Sequence, residues 1–142
     1  MITNIKDKND NTLAIIVSNE PVEDGIKFYT NDDNYLQVAA ASYPTGKKVD
    51  AHLHNETIRT IKGTQEVVVM KKGQYRVDFY DEDRVYIKSY VLKANDVIIF
   101  IQGCHGFESL EDVELIEIKQ GPFLKDQDKT RFQGIDSSQV NF

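Results

Sequence analysis

The sequence predicts an all-β protein, and three observations support this. Apolar and polar residues alternate with a period of two along much of the chain, as expected for half-buried strands. The apolar runs are short and are separated by turn-forming segments such as PTGKK, YDEDR and KAND. No window carries apolar residues at helical spacing. Many short strands at this spacing are typical of a sandwich or a small barrel.

Each predicted strand is an alternating or continuously apolar segment between two turn signals. In chain order, the predicted strands are Thr12 to Val17, Ile26 to Tyr29, Leu36 to Tyr43, Asp50 to His54, Gln65 to Lys71, Gln74 to Tyr80, Arg84 to Leu92, Asp96 to Ile101, His105 to Ser109 and Val113 to Lys119. The first eleven residues and the polar stretch after Gly121-Pro122 are expected to lie on the surface or to reach a partner subunit.

Length and composition limit the possible classes of protein. A chain of 142 residues with 40% hydrophobic content suits a single domain over residues 1–142. The net charge of -6, with no basic cluster longer than Lys47-Lys48 or Lys71-Lys72, argues against nucleic acid and anionic membrane as partners. We expect a cytoplasmic protein, because the sequence has a single cysteine, Cys104, polar N-terminal residues and no long apolar run.

The chain has three histidines, and two of them lie two residues apart. On a strand, His52 and His54 would point to the same face with Cα atoms about 6.5 Å apart, so their rings could converge on one ion. Further ligands should come from neighbouring strands. Glu66 lies on the returning strand after the predicted IKGT turn, and His105 follows the apolar run Val97 to Ile101. These four residues are the predicted metal ligands.

The same residues resemble the two cupin motifs. The first motif is similar to a pattern in this sequence that consists of Gly46, five further residues, His52-Leu53-His54, and then Glu66 with Gly73 seven positions later. The segment from Asn95 to His105 resembles the second. The resemblance, to small single-domain bacterial cupins, implies a cupin-type jelly-roll β-barrel (double-stranded β-helix) with its core at about residues 37–119. It also implies a metal site of three histidines and one glutamate at the barrel mouth, with polar extensions at both ends of the chain.

The sequence departs from the family pattern at several positions. Eleven residues separate His54 from Glu66, where the family motif has three or four. In the second motif, Asn95 replaces the glycine, Ile101 the proline and Ser109 the final asparagine, and only Cys104 stands between Gly103 and His105. The hairpin between His54 and Glu66 must therefore be longer than in the family pattern.

Three further residues are candidates for substrate binding. Arg59 lies in the long connection before Glu66, where its planar fork could bind a carboxylate or phosphate, although an exposed loop arginine is an equal alternative. Glu117 and Lys119 alternate with Ile116 and Ile118, so the polar pair faces either solvent, which is the default, or the barrel interior. An interior position would make Glu117 and Lys119 polar contacts for a substrate.

The predicted cofactor is a divalent metal ion, either Fe, Mn, Zn or Ni, because imidazole and carboxylate ligands suit all of these. The leading hypothesis is a metal-dependent enzyme, of dioxygenase or of isomerase or epimerase type, that acts on a small polar metabolite such as a hydroxy acid, a keto acid or a sugar derivative. One alternative is a metal-free sugar-nucleotide isomerase that uses His52 and His54 as acid and base. Another is a non-catalytic module that binds a small ligand. We also expect a homodimer, with the strand TLAIIV as a candidate for pairing across subunits.

Overall fold

The computed structural model describes residues 1–19 and 21–142. The chain divides into two compact units, one formed by Met1–Glu20 with Thr64–Phe142 and the other by Pro21–Gly63. Strands make up the regular structure, together with two 3-10 helices of three residues each, and the prediction of an all-β protein is confirmed. No helix in the described part of the chain is long and apolar enough to cross a membrane. The single domain over 1–142 stays a prediction.

The residues that the structure describes form ten strands and two short helices. They are β1 (Ile2–Lys6), β2 (Thr12–Val17), β3 (Gly25–Phe28), β4 (Ala39–Ser42), β5 (Glu66–Lys72), β6 (Tyr75–Tyr80), β7 (Tyr86–Leu92), β8 (Val97–Phe100), β9 (Cys104–Ser109), β10 (Glu114–Lys119), η1 (Lys125–Gln127) and η2 (Ser137–Gln139). All the strand pairs are antiparallel.

The larger unit contains two sheets. One has five strands in the order β1-β2-β8-β5-β10, and the other has three in the order β7-β6-β9. Alternate side chains of both sheets meet in one apolar core that includes Ile16, Met70 and Ile98 from the first sheet and Val77 and Phe79 from the second. No sheet among the described residues closes on itself, and this arrangement is consistent with a β-sandwich.

The smaller unit has a two-stranded sheet of β3 and β4. The loop between these strands is held by side chains: Thr30 Oγ1 accepts a hydrogen bond from the backbone N–H of Val38 at 3.0 Å, and Gln37 Nε2 donates to the carbonyl of Asn31 at 2.8 Å. After β4, all residues from 43 to 63 are exposed and none belongs to a strand.

The predicted strand from Asp50 to His54 is therefore wrong, and so is the hairpin that was to lead from it to Glu66. A strand persists when it buries one face and pairs its backbone. Here the apolar side chains in and after the segment gain no burial, because Leu53 is 80% exposed and Ile58 is 97% exposed.

Most of the N-terminal residues are exposed, as expected, but residues 2–6 also form β1 and pair with β2, which was not predicted. Ile5 of β1 is buried in the core, so this strand is held by packing as well as by backbone hydrogen bonds. Strand β2 lies between β1 and β8 and has both of its edges paired. The TLAIIV segment therefore has no free edge for pairing across subunits, although a homodimer formed in another way stays a prediction.

The C-terminal residues lie against the outer face of the three-stranded sheet. Tyr80 Oη accepts a hydrogen bond from the backbone N–H of Ile135 at 2.9 Å, and the ring of Phe132 lies 5.2 Å from that of Tyr80. Further along, the carbonyl of Asn141 accepts a hydrogen bond from the N–H of Ser89 on β7 at 2.6 Å. These contacts place the segment from residue 128 onward beside the end of the sandwich where His105 lies.

Candidate functional site

Glu66 and His105 meet in the interior between the two sheets of the larger unit. Glu66 begins β5 and lies on the same face as the core residues Val68 and Met70, since side chains two apart on a strand share a face. His105 lies opposite Phe79 in the register of β9 with β6, and Phe79 also points into the core. The Nε2 atom of His105 lies 3.2 Å from Oε2 of Glu66. Two residues that are 39 positions apart in the sequence are thus joined across the sandwich.

Aromatic rings hold the imidazole of His105 in place. Its ring stacks on Phe100 of β8 with the ring centres 4.0 Å apart and the planes at 25°. Phe107 packs edge-on against the same imidazole at 5.2 Å. With one face on Phe100 and Phe107 at its side, the ring has little rotational freedom, and Nε2 stays directed at Glu66. The His105 side chain is 23% exposed, so the site is reachable from solvent.

Glu66 is a nearly buried carboxylate, 9% exposed, surrounded by cationic groups. The Nζ atom of Lys129 lies 3.8 Å from its Oε1, and that of Lys119 lies 4.0 Å away. The hydrogen bond with His105 and the charges of His105 and the two lysines hold the pKa of Glu66 below its ordinary value, against the opposing effect of burial. Glu66 is therefore ionised at neutral pH and is available as an oxygen ligand or as a hydrogen-bond acceptor.

Glu117 and Lys119 lie on the face of β10 that looks toward the interior, but only Lys119 is largely covered. Its side chain is 19% exposed, whereas that of Glu117 is 43% exposed. In the register of β10 with β5, Lys119 is opposite Glu66 and Glu117 is opposite the core residue Val68. Lys119 also contacts Asp128 at 3.3 Å. Burial disfavours the ammonium charge, but the hydrogen bond with Asp128 and the nearby carboxylates outweigh it and raise the pKa of Lys119. Whether either residue contacts a substrate stays a prediction.

Two cavities adjoin His105. The smaller one, of about 220 Å³, is lined by Glu66, Cys104 and His105 together with Asp128, Lys129 and Phe132. The larger one, of about 520 Å³, is lined by His105 and Phe107 and by residues of the outer sheet face and the C-terminal segment, among them Arg76, Tyr80, Lys129 and Arg131. His105, Lys129, Thr130 and Phe132 belong to the walls of both cavities.

His52 and His54 lie in the smaller unit, in the exposed segment after β4. Their ring centres are 5.3 Å apart with the planes at 72°. The Nδ1 atom of His52 lies 2.9 Å from the carbonyl oxygen of Asp50. A carbonyl can only accept a hydrogen bond, so Nδ1 is the donor in this contact, and the neutral form of such a ring carries its lone pair on Nε2. Arg59 is exposed in the same segment.

The structure therefore brings the predicted ligands together in two pairs, Glu66 with His105 and His52 with His54. Within residues 1–19 and 21–142, it shows no group of three or more His, Cys, Asp or Glu side chains placed to hold one ion.

Sequence reasoning missed Asp128, Lys129 and Phe132 as residues of the candidate site. They lie in the polar segment that was expected only to cover a surface or to reach a partner. The one available signal was the pattern DKTRF, in which two cations and an aromatic ring occur within five residues. This pattern has no specific meaning until the fold places it beside His105.

Comparisons with protein-family models, with curated proteins and with solved structures found no match to this chain.

Proposed function

We propose that this protein binds a divalent metal ion, either Fe, Mn, Zn or Ni, through His52, His54, Glu66 and His105, and acts as a metal-dependent enzyme on a small polar metabolite. The observation that carries the proposal is the 3.2 Å separation between Oε2 of Glu66 and Nε2 of His105. Two donor atoms at about 2.1 Å from one ion lie about 3.0 Å apart at a right angle and about 3.4 Å apart at the tetrahedral angle. The separation of 3.2 Å falls between these values, so the two donor atoms are spaced to share one ion.

The hydrogen bond of His52 supports the same proposal. Histidines that bind metals commonly donate their second ring N–H to a carbonyl or a carboxylate, which fixes the tautomer and the ring orientation. His52 makes this contact with the carbonyl of Asp50, and the remaining lone pair on Nε2 is free to bind an ion. His54, with its ring 5.3 Å from that of His52, supplies the other imidazole.

A bound ion at this site would supply Lewis-acid chemistry, or oxygen chemistry if the metal is redox-active. The residues of the chain would orient the metal-binding atoms and hold or release protons. Phe100 and Phe107 keep the imidazole of His105 aligned with Glu66. In the metal-free protein Nε2–H of His105 can donate a hydrogen bond to Glu66. Nε2 must lose this proton before it can bind a metal ion. Lys119 and Lys129 would balance the negative charge of Glu66 or of a bound substrate.

The test is elemental analysis of protein purified without an affinity tag or a chelator. We expect near-stoichiometric metal in the wild type and loss of that metal in Glu66→Gln, His105→Ala and His52→Ala. Glu114→Gln is the matched control, because it makes the same change at an exposed carboxylate of β10. A wild type that carries no metal and fails to bind added Fe(II), Mn, Ni or Zn would sink the proposal, and so would full occupancy in the His52 or Glu66 variant.

A second candidate is a metal-independent isomerase, favoured by the direct hydrogen bond between Glu66 and His105 and by the two lysines next to Glu66. A carboxylate and an imidazole in contact can relay a proton without an ion. In this version His105 would be the acid and base, in place of His52 and His54. Isomerase activity that survives complete removal of metal, and that is lost in His105→Gln but not in His52→Gln, would favour this candidate.

Membership of the cupin superfamily, a jelly-roll architecture, a homodimeric state and a cytoplasmic location belong to the same proposal. The resemblance of the His52-Leu53-His54, Glu66 and His105 segments to the cupin motifs supports the first two. Glu66 and His105 also lie on facing strands of a sandwich, which suits a site inside a β-structure of that kind.

A further inference from the structure

The C-terminal segment contributes unpaired positive charge to the larger cavity beside His105. Arg131 is exposed, lines this cavity and has no ion-pair partner among the residues that the structure describes. Lys129 lines the same cavity, is 51% exposed and lies 3.8 Å from the carboxylate of Glu66. Two cations two residues apart thus reach a cavity whose wall also contains His105.

The third cation of the cavity, Arg76, is already engaged. Its guanidinium contacts Asp78 through Nε at 2.9 Å and Nη2 at 3.0 Å, and it contacts Glu108 through Nη1 at 2.7 Å. Arg76 therefore balances one of the two negative charges that Asp78 and Glu108 bring to the wall. Lys129 and Arg131 leave the wall with an excess of one positive charge. Lys129 is shared with Glu66, so Arg131 is the cation available to a ligand, and this favours an anion.

The rest of the wall suits an organic ligand. Phe132 provides an apolar ring surface, and it is fixed by Tyr80 on one side and by the guanidinium of Arg84 at 5.5 Å. The volume of about 520 Å³ is in the range of small-molecule sites, which are typically about 300 to 1,000 Å³. A metabolite with a ring or a short carbon skeleton would fit between these walls.

We propose that Arg131 and Lys129 hold the phosphate or carboxylate group of a small organic anion in this cavity. The reacting end of the molecule would pass along the wall that the two cavities share and reach the smaller cavity, where Glu66 and His105 lie. This inference rests on the proposed function in taking Glu66 and His105 as the reacting end. It assigns the anion to the C-terminal segment, whereas the sequence pointed to Arg59. An arginine and a lysine together can bind the oxygens of either anion, the first through its planar fork and the second as a point charge.

The experiment is an NMR titration of the ¹⁵N-labelled protein, as purified, with inorganic phosphate and separately with succinate, at constant ionic strength. We expect saturable shifts of the backbone amides of residues 129–132 and of His105. Saturation by phosphate alone identifies a phosphate site, and saturation by succinate alone identifies a carboxylate site. Saturation by neither anion overturns the inference.

Variants show whether the two cations are responsible. Arg131→Gln and Lys129→Gln should each weaken binding about tenfold or more, because each removes a charge-assisted contact. Lys125→Gln makes the same charge change on the same segment but outside both cavity walls, and Arg59→Gln tests the position that the sequence favoured. Both controls should change the dissociation constant by less than about twofold. An equal loss in all four variants would show that only net charge matters, and would overturn the inference.

Metal analysis of the same samples separates this inference from the proposed function. Arg131→Gln should keep the metal content of the wild type while losing the anion. A wild type that holds metal but binds neither anion overturns the inference and leaves the proposed function standing. A wild type that binds an anion through Arg131 but takes up no metal overturns the metal proposal, while the anion assignment stands.

Discussion

The outer face of the three-stranded sheet carries a buried ion pair whose disruption should have a large and measurable cost. Arg76 and Asp78 are two residues apart on β6, and their side chains are each 7% exposed. The guanidinium makes two parallel hydrogen bonds to the carboxylate, at 2.9 and 3.0 Å. Ser89 of β7 also donates a hydrogen bond to Asp78. The Asp78→Ala variant removes the carboxylate and leaves both donors buried.

The expected loss of stability follows from this geometry. Removing one partner of a buried ion pair costs about 3 to 5 kcal/mol, because an uncompensated charge stays in the interior. Glu108 still contacts Arg76 at 2.7 Å and is 46% exposed, so the lower end, about 3 kcal/mol, is the expected value. For a domain of this size this corresponds to a fall in Tm of about 6 to 12 °C. Glu108→Ala, which removes the more exposed partner, should cost less than about 1 kcal/mol.

The assay is urea unfolding followed by far-UV circular dichroism, with the m value compared between variants. The double variant Arg76→Met with Asp78→Leu removes both charges and should recover most of the stability lost in Asp78→Ala, since a buried pair is worth little relative to apolar residues of similar size. A cost below about 1 kcal/mol for Asp78→Ala, or a double variant as unstable as the single one, would refute this reasoning.

Three other substitutions test the fold and the site. The lowered pKa of Glu66 stabilises the folded protein fully above the ordinary value of 4.5, and this stabilisation is lost as the pH falls through the folded-state pKa. The free energy of unfolding, measured between pH 3 and 7, should therefore fall less steeply with acid in Glu66→Gln than in the wild type, and an equal fall would contradict the lowered pKa. Gly73 has a φ of +81°, and a Cβ there would clash with the carbonyl oxygen of Asp112. Gly73→Ala should therefore lower the urea midpoint by more than Gly46→Ala, because Gly46 shares the positive φ at +85° but a Cβ there meets no atom within 4 Å; equal effects would exclude the steric contribution. Tyr80→Phe removes the acceptor of the Ile135 N–H, and it should lower the free energy of unfolding by about 1 kcal/mol and speed hydrogen exchange at that amide. An unchanged exchange rate would show that this hydrogen bond does not hold the C-terminal segment.

The strands that the sequence predicted well are those whose own pattern matches their environment. The segment TLAIIV is strand β2 with the predicted bounds, and the apolar run from Val97 to Phe100 is the buried strand β8. Glu66 and His105 were expected on neighbouring elements, and both point into the space between the sheets. Local alternation carries this information, since it fixes which residues of a strand share a face.

The errors concern features that local pattern does not determine. Periodicity placed Glu117 and Lys119 on one face of β10 and left both solvent and the interior open. The largely covered position of Lys119 follows from the pairing of β10 with β5. The Asp50 to His54 segment has strand-like residues but gains no burial. The position of Lys129 and Phe132 depends on contacts with Tyr80 and Glu66, more than 45 residues earlier in the chain. Such long-range contacts have no signature in the local sequence.

The central claim is that Glu66 and His105 share one metal ion with His52 and His54, and the most direct test is X-ray absorption spectroscopy of the cobalt-loaded protein. The account predicts one bound Co(II) with three imidazole ligands in the wild type and two in His52→Ala. A cobalt site without imidazole scattering, or an identical spectrum in His52→Ala, would contradict it.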